Sequence, residues 1–117
     1  MAATLSKSER LCGNKAIAGL MEHGKGGSAG CLRYKFLKTG DSEVSRILVS
    51  VPKRFFKRAV KRNLLKRRIR ESYRLRKDLL PVPVDIAFLY QAHEVLSYDE
   101  ISAAMAEVLS AVAAKTA

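Results

Sequence analysis

The chain has 117 residues, 48% of them hydrophobic, and carries 22 Lys and Arg against 11 Asp and Glu, for a net charge of +11. That composition allows one domain with one modest core, is too apolar for wholesale disorder, and produces a field that draws polyanions. No run of 18 apolar residues exists and the first ten residues lack the apolar stretch of a secretory signal, so a spanning helix is excluded and a cytoplasmic location is expected.

Residues 1–12 read as a loose lead-in to a single domain covering 1–117. Residues 14–23 (N-K-A-I-A-G-L-M-E-H) place Ile17, Leu20 and Met21 at helical spacing and stop at Gly24, which predicts a short helix. Gly24, Gly26, Gly27 and Gly30 then read as a flexible connection. Residues 31–38 (C-L-R-Y-K-F-L-K) alternate, with Leu32, Tyr34 and Phe36 on one face and Arg33 and Lys35 on the other, so they form a strand. Residues 39–43 (T-G-D-S-E) favour a turn. Residues 46–53 (R-I-L-V-S-V-P-K) are β-branched and apolar, and read as a second strand paired with the first, with Pro52 limiting its length. Residues 57–77 predict a long helix, broken by Pro81 and Pro83, and residues 84–90 (V-D-I-A-F-L-Y) another strand. Ser97 and Glu100 form a capping box. Behind it Ile101, Ala104, Met105, Val108, Leu109 and Val112 recur at amphipathic helical spacing, which predicts a core helix. Mixed elements without a βαβα repeat make the class α+β: a small mixed sheet packed with an N-terminal, a long basic and a C-terminal helix. Cys12 and Cys31 have no C-x-x-C spacing and read as reduced, partly buried thiols.

The charge is local. Residues 53–77 hold 13 of the 22 basic side chains and one acid, Glu71, while the rest of the chain is nearly balanced. At 3.6 residues per turn Asn63, Lys66, Arg67, Arg70, Arg74 and Lys77 share one face, with Leu65, Ile69, Ser72 and Tyr73 roughly opposite. A basic face is often only a solvated surface, but such helices normally mix signs for i, i+4 support. One acid among so many bases points instead to nucleic acid. A membrane-surface helix competes less well, because the apolar side is needed for the protein's own core. No zinc-finger spacing, dimeric helix-turn-helix or RRM aromatic motif accompanies the helix. The acids form no two-metal nuclease motif, and His23 and His93 have no recognisable partner, so no catalytic residue and no protein metal site are expected.

The run Ser50-Val51-Pro52-Lys53-Arg54, followed by Ala59-Val60-Lys61-Arg62-Asn63-Leu64-Leu65-Lys66-Arg67-Arg68-Ile69-Arg70-Glu71, closely resembles the signature of bacterial ribonuclease P proteins. In that family a strand ending Ser-Val-x-Lys-Lys/Arg leads into A-V-x-R-N-R-x-K-R-x-x-R-E. Leu64 departs from the third member of the Arg-Asn-Arg triplet, and Ile17 and Met21 stand where the family often has aromatics.

The resemblance implies the element order α-β-β-(β)-α-β-α with an unusual left-handed βαβ crossover. It implies a protein subunit that binds a catalytic RNA, ribonuclease P RNA, through Arg62, Asn63, Lys66, Arg67, Arg70 and Arg74, supported by Lys53, Arg54, Arg58 and Lys61. It further implies a cleft for the 5′ leader of precursor tRNA, at Ile17, Met21, Arg33, Tyr34 and Phe36. For Tyr34 and Phe36 ordinary core packing is an equal alternative. Catalysis and its Mg²⁺ are expected to belong mainly to the RNA, with neither a membrane nor a stable protein partner implied. A structural RNA-binding protein of ribosomal type is the alternative that the basic helix alone would permit.

Overall fold

The computed structural model describes residues 14–38 and 45–116. The lead-in at residues 1–12 with Cys12, and the turn at residues 39–43, lie outside the described residues. The elements in chain order are α1 (Asn14–His23), β1 (Lys25–Ala29), β2 (Leu32–Lys38), β3 (Arg46–Ser50), α2 (Ala59–Arg76) with a 3₁₀ turn at Lys77–Leu79, β4 (Val84–Tyr90) and α3 (Tyr98–Thr116).

The four strands form one sheet in the order β1-β2-β4-β3. Two sequence expectations are corrected here. The glycine-rich segment is a strand: β1 pairs antiparallel with β2 from Lys25↔Phe36 to Ala29↔Leu32. Its glycines fit this packing, because a Cβ at Gly27 would lie 2.5 Å from the Tyr34 hydroxyl. Gly30, at φ 55°, makes the turn into β2 in a left-handed conformation that a side chain disfavours.

The second correction is pairing. β3 does not pair with β2; it runs parallel to β4, Ile47↔Ile86 through Ser50↔Leu89, while β4 pairs antiparallel with β2. A parallel pair needs a long crossover, and α2 supplies it. β4 takes the central place because Val84, Asp85, Ile86, Ala87, Phe88 and Tyr90 are all buried, as a strand covered on both faces requires.

The two faces carry different cores. Leu32, Tyr34, Phe36, Ile47, Val49, Ile86, Phe88 and Tyr90 pack with Leu65, Ile69 and Tyr73 of α2 and the apolar stripe of α3. On the other face Leu20 of α1 seats on Ala87, flanked by Ile17, Leu37 and Leu48. The same face holds a bidentate ion pair, Arg46 Nε and Nη2 donating to Asp85 at 2.8 Å each. The capping box forms as expected: the Ser97 N–H donates to Glu100 at 3.1 Å and the Glu100 N–H to Ser97 Oγ at 3.3 Å.

Candidate nucleic-acid interface

The strand stops at Ser50 and the helix starts at Ala59, two residues later than its basic pattern suggests. Between them Pro52 accepts hydrogen bonds from the Phe55 and Phe56 N–H groups, each 3.3 Å, closing a tight turn. Phe56 anchors that turn in the core, its ring 5.8 Å from Tyr90. Arg62 then reaches back: its Nη1 donates to the carbonyls of Phe56 at 2.7 Å and Lys57 at 2.9 Å. The side chain expected to touch RNA thus also fixes the loop that displays Lys53, Arg54, Lys57 and Arg58, all four of them exposed. Arg54 lies over the Phe55 ring at 4.8 Å, and His93 meets the same ring at 4.0 Å between centroids.

Along α2 the buried residues are Leu65, Ile69, Ser72 and Tyr73, the four that the sequence pattern placed inside. Ser72 satisfies its hydroxyl on the Ile69 carbonyl at 2.8 Å. Asn63, Lys66, Arg67, Arg70, Arg74 and Lys77 fall on the outer side within a sector of roughly 100°. Their restraints differ. Asn63 and Arg67 are exposed, Lys66 is half-buried, and Arg74 Nε donates to Glu71 at 2.8 Å, so one cation of the row is partly neutralised within the helix. Arg68 lies outside the row and donates to the Leu96 carbonyl in the loop before α3. The sequence did not assign it that task. Leu64 is half-buried on the flank of the row, where it contributes no charge.

A groove of about 720 Å³ lies beside α1 on the opposite face of the sheet. Met21 of α1, Gly24, Gly26, Gly27 and Ser28, Arg33 and Lys35 of β2, and Ala87, Leu89 and Gln91 line it, with Tyr34 at its border. Met21 is 45% and Leu89 37% exposed, so the floor is apolar and open, while Arg33 supplies exposed charge. Lys35 Nζ donates to the Met21 carbonyl and ties the helix to the strand. Of the expected cleft residues, Met21 and Arg33 meet in this groove, and Ile17 packs beneath α1. Tyr34 and Phe36, 6% and 4% exposed, belong to the α2–α3 core on the other face. Lys35 and Leu89 were not singled out from sequence. Period-2 spacing puts Lys35 on the face of Arg33 and Leu89 on that of Asp85, but only the seating of α1 shows that this face holds the groove.

Ser50 pairs with Leu89, which pairs with Arg33, so the chain leaves β3 toward Lys53 and Arg54 at the same end of the sheet as Arg33 and Leu89 of the groove. Among the described residues no three His, Cys, Asp or Glu side chains stand close enough to hold a metal. The cationic lining of both surfaces does not fit a resident Mg²⁺. Nor is any described helix long and apolar enough to cross a membrane.

Comparison with known proteins gives one consistent family. A family model described as Ribonuclease P matches residues 5–113. The ribonuclease P protein component of Porphyromonas gingivalis (strain ATCC 33277) is 37% identical over 118 aligned residues, covering 93% of this chain and 86% of that protein. The fold matches the solved RNase P protein of Staphylococcus aureus with TM-score 0.78 at 23% identity, covering 88% of this chain and 94% of that one. It matches the RNase P protein of Thermotoga maritima with TM-score 0.75 at 25% identity, covering 86% and 94%.

Proposed function

The chain belongs to the ribonuclease P protein family, and on that premise we propose that it is the RNA-binding subunit of the endoribonuclease that removes the 5′ leader from precursor tRNA. The observation that carries the proposal is the division of α2 into a flank buried in the core and a cationic flank turned outward. Arg67, Arg70 and Arg74 can each grip a phosphate through a planar, two-pronged guanidinium, whereas Lys66 acts as a point charge. Asn63 offers an amide to 2′-hydroxyls. Lys53, Arg54, Arg58 and Lys61 extend the cationic surface to the loop before the helix, and Arg62 shapes that loop as well as adding charge.

The leader of precursor tRNA is assigned to the α1 groove, against Met21, Arg33, Lys35 and Leu89. Its apolar floor and open top suit a single strand of varied sequence. With Tyr34 and Phe36 turned into the core, the described part of the groove holds an extended backbone more by charge than by stacking. Among the described residues no three His, Cys, Asp or Glu side chains gather into a metal-holding group. That supports assigning cleavage chemistry and most of the Mg²⁺ to the RNA subunit, with the protein raising affinity for RNA and substrate in the cytoplasm.

The test is reconstitution of the chain with a bacterial ribonuclease P RNA at low Mg²⁺. Stimulated 5′ cleavage of precursor tRNA is expected. RNA binding without stimulation would favour a structural protein of ribosomal type, and cleavage without the RNA would make the protein itself the nuclease.

A further inference from the structure

The fold treats the neighbours Phe55 and Phe56 differently. Phe56 is buried, while Phe55 stays half-buried at the surface. Its ring meets His93 at 4.0 Å between centroids, with the planes 34° apart. His93 belongs to the loop after β4, so the fold gives it a neighbour that its place in the sequence does not show. The two rings border a concavity of about 430 Å³ that Lys57, Arg58, Lys61 and Glu94 also line. His93 and these four charged residues are exposed. Among the described residues of this lining the cations outnumber the carboxylate, and Arg54 adds another over the Phe55 ring.

Two rings in contact can staple two loops together or offer a face to a third ring. The loops here are already held by other bonds. Phe56 packs on Tyr90, ring centroids 5.8 Å apart, and joins the same two segments within the core. The Tyr90 hydroxyl donates to the Glu94 carbonyl at 2.7 Å and accepts the Leu96 N–H at 3.1 Å, which folds the His93 loop around it. Arg62 holds the Phe55 loop through the carbonyls of Phe56 and Lys57. The imidazole is therefore presented at the surface by a frame that does not depend on it. A ring so fixed loses little freedom when it stacks. Aromatic faces with cations beside them suit a nucleotide of a single strand, because the base stacks while its phosphates meet the charges.

We infer that the exposed His93 ring, backed by Phe55, stacks on one unpaired base of the ribonuclease P RNA, with Lys57, Arg58 and Lys61 on the phosphates beside it. The inference rests on the reading that the cations of α2 bind that RNA, and it adds a base contact to one made of sugar and phosphate contacts. Position favours the catalytic RNA as the occupant: Lys61 lies in the first turn of α2 and directly precedes Arg62 and Asn63. The base must be unpaired, because a base within a duplex already has a neighbour on each face. Stacking accepts any of the four bases, so the site fixes the position of a nucleotide rather than its identity.

Affinity for a bacterial ribonuclease P RNA is measured across a salt series for the parent chain and for three variants of one residue. His93→Ala removes the ring and should weaken binding roughly 5-fold or more, the lower end for base–aromatic stacking. The slope of log K on log salt should stay that of the parent, because a stacked base releases no counterion. His93→Phe should restore the affinity. His93→Leu still packs on Phe55 as a staple would, yet has no aromatic face, so it should bind as weakly as His93→Ala. Parent-like binding by His93→Ala or His93→Leu overturns the inference, as does a flattened salt slope in His93→Ala or a failure of His93→Phe to rescue. Arg67→Ala, measured alongside, separates the two claims. If its slope equals the parent's, the α2 reading is what fails; if it is flatter while His93→Ala binds like the parent, only the stacking site fails. His93 is exposed, so the thermal midpoints of all three variants should match that of the parent.

Discussion

Arg62 separates two ways in which a cation on α2 can matter. Its Nη1 bonds to the carbonyls of Phe56 and Lys57, the first part-buried and the second exposed. A hydrogen bond from a charged donor contributes about 1.5–3 kcal/mol, and an exposed one falls well below that range. Replacing Arg62 with Ala should therefore cost roughly 2–3 kcal/mol and loosen the turn that Phe56 anchors. At this chain length the thermal midpoint should fall by roughly 8–12 °C, since 1 kcal/mol corresponds to about 4 °C. Arg67→Ala, at an exposed position, should leave stability within about 0.5 kcal/mol. It should instead weaken RNA binding and flatten the salt slope by roughly 0.7–0.9. Thermal melts and RNA titrations at several salt concentrations on both variants read the two effects separately. If Arg62→Ala melted with the parent and behaved like Arg67→Ala in the salt series, the clamp would have no role in holding the turn.

Gly27→Ala forces a Cβ to 2.5 Å from the Tyr34 hydroxyl and should cost roughly 1–3 kcal/mol in a urea titration; an unchanged midpoint would show that β1 slides freely. Asp85→Ala leaves Arg46 without its bidentate partner beside α1 and should cost roughly 3 kcal/mol, the lower end for a broken buried pair. Burial raises the Cys31 thiol above its ordinary 9.0, so the folded state holds that proton more tightly than the unfolded chain. This contribution to stability is complete below pH 9.0 and declines as pH rises past it, with Tyr90, raised by the same cause, acting in the same direction at higher pH. In a Cys12→Ser background the remaining thiol should resist alkylation at neutral pH until denaturant is added, and rapid labelling of the native protein would contradict its placement.

What the sequence made legible was whatever a local period could report. The bounds of α1, of β4 and of the buried stripe of α3 follow from spacing and caps, and the inward four of α2 follow from 3.6 residues per turn. Pairing partners are non-local, so nothing in residues 46–50 distinguishes β2 from β4 as neighbour; the double-sided burial of β4 decides it. β1 was illegible for a different reason. K-G-G-S-A has little intrinsic strand preference, and it is a strand because β2 offers an edge and Tyr34 needs a neighbour without a side chain. The same gap affected the groove. Alternation says that Tyr34 and Phe36 share a face and that Arg33 and Lys35 share the other, but not which face α1 covers. Leu20 on Ala87 settles that, and it brings Lys35 and Leu89 to the groove, with Tyr34 only at its border and Phe36 outside it.

The uniform sign of α2 raises the question of why the helix survives without RNA. Like-charged neighbours occur at Arg62–Lys66, Lys66–Arg70, Arg70–Arg74, Arg67–Arg70 and Arg74–Lys77, each worth roughly 0.2–0.5 kcal/mol of repulsion. Against a total of roughly 1–2.5 kcal/mol stand Leu65, Ile69 and Tyr73, each wholly buried and each contributing on the order of 1.5–3 kcal/mol. Glu71, paired with Arg74, recovers a little more. Burial wins, so the helix is formed before any RNA arrives, and the ordering cost of the binding surface is met by the core rather than by the contact. What repulsion remains along the outer row, beyond the Arg74–Glu71 pair, is relieved when phosphates bind. Shortening the apolar flank should therefore damage RNA binding through the fold, whereas removing outer cations should damage it without the fold changing.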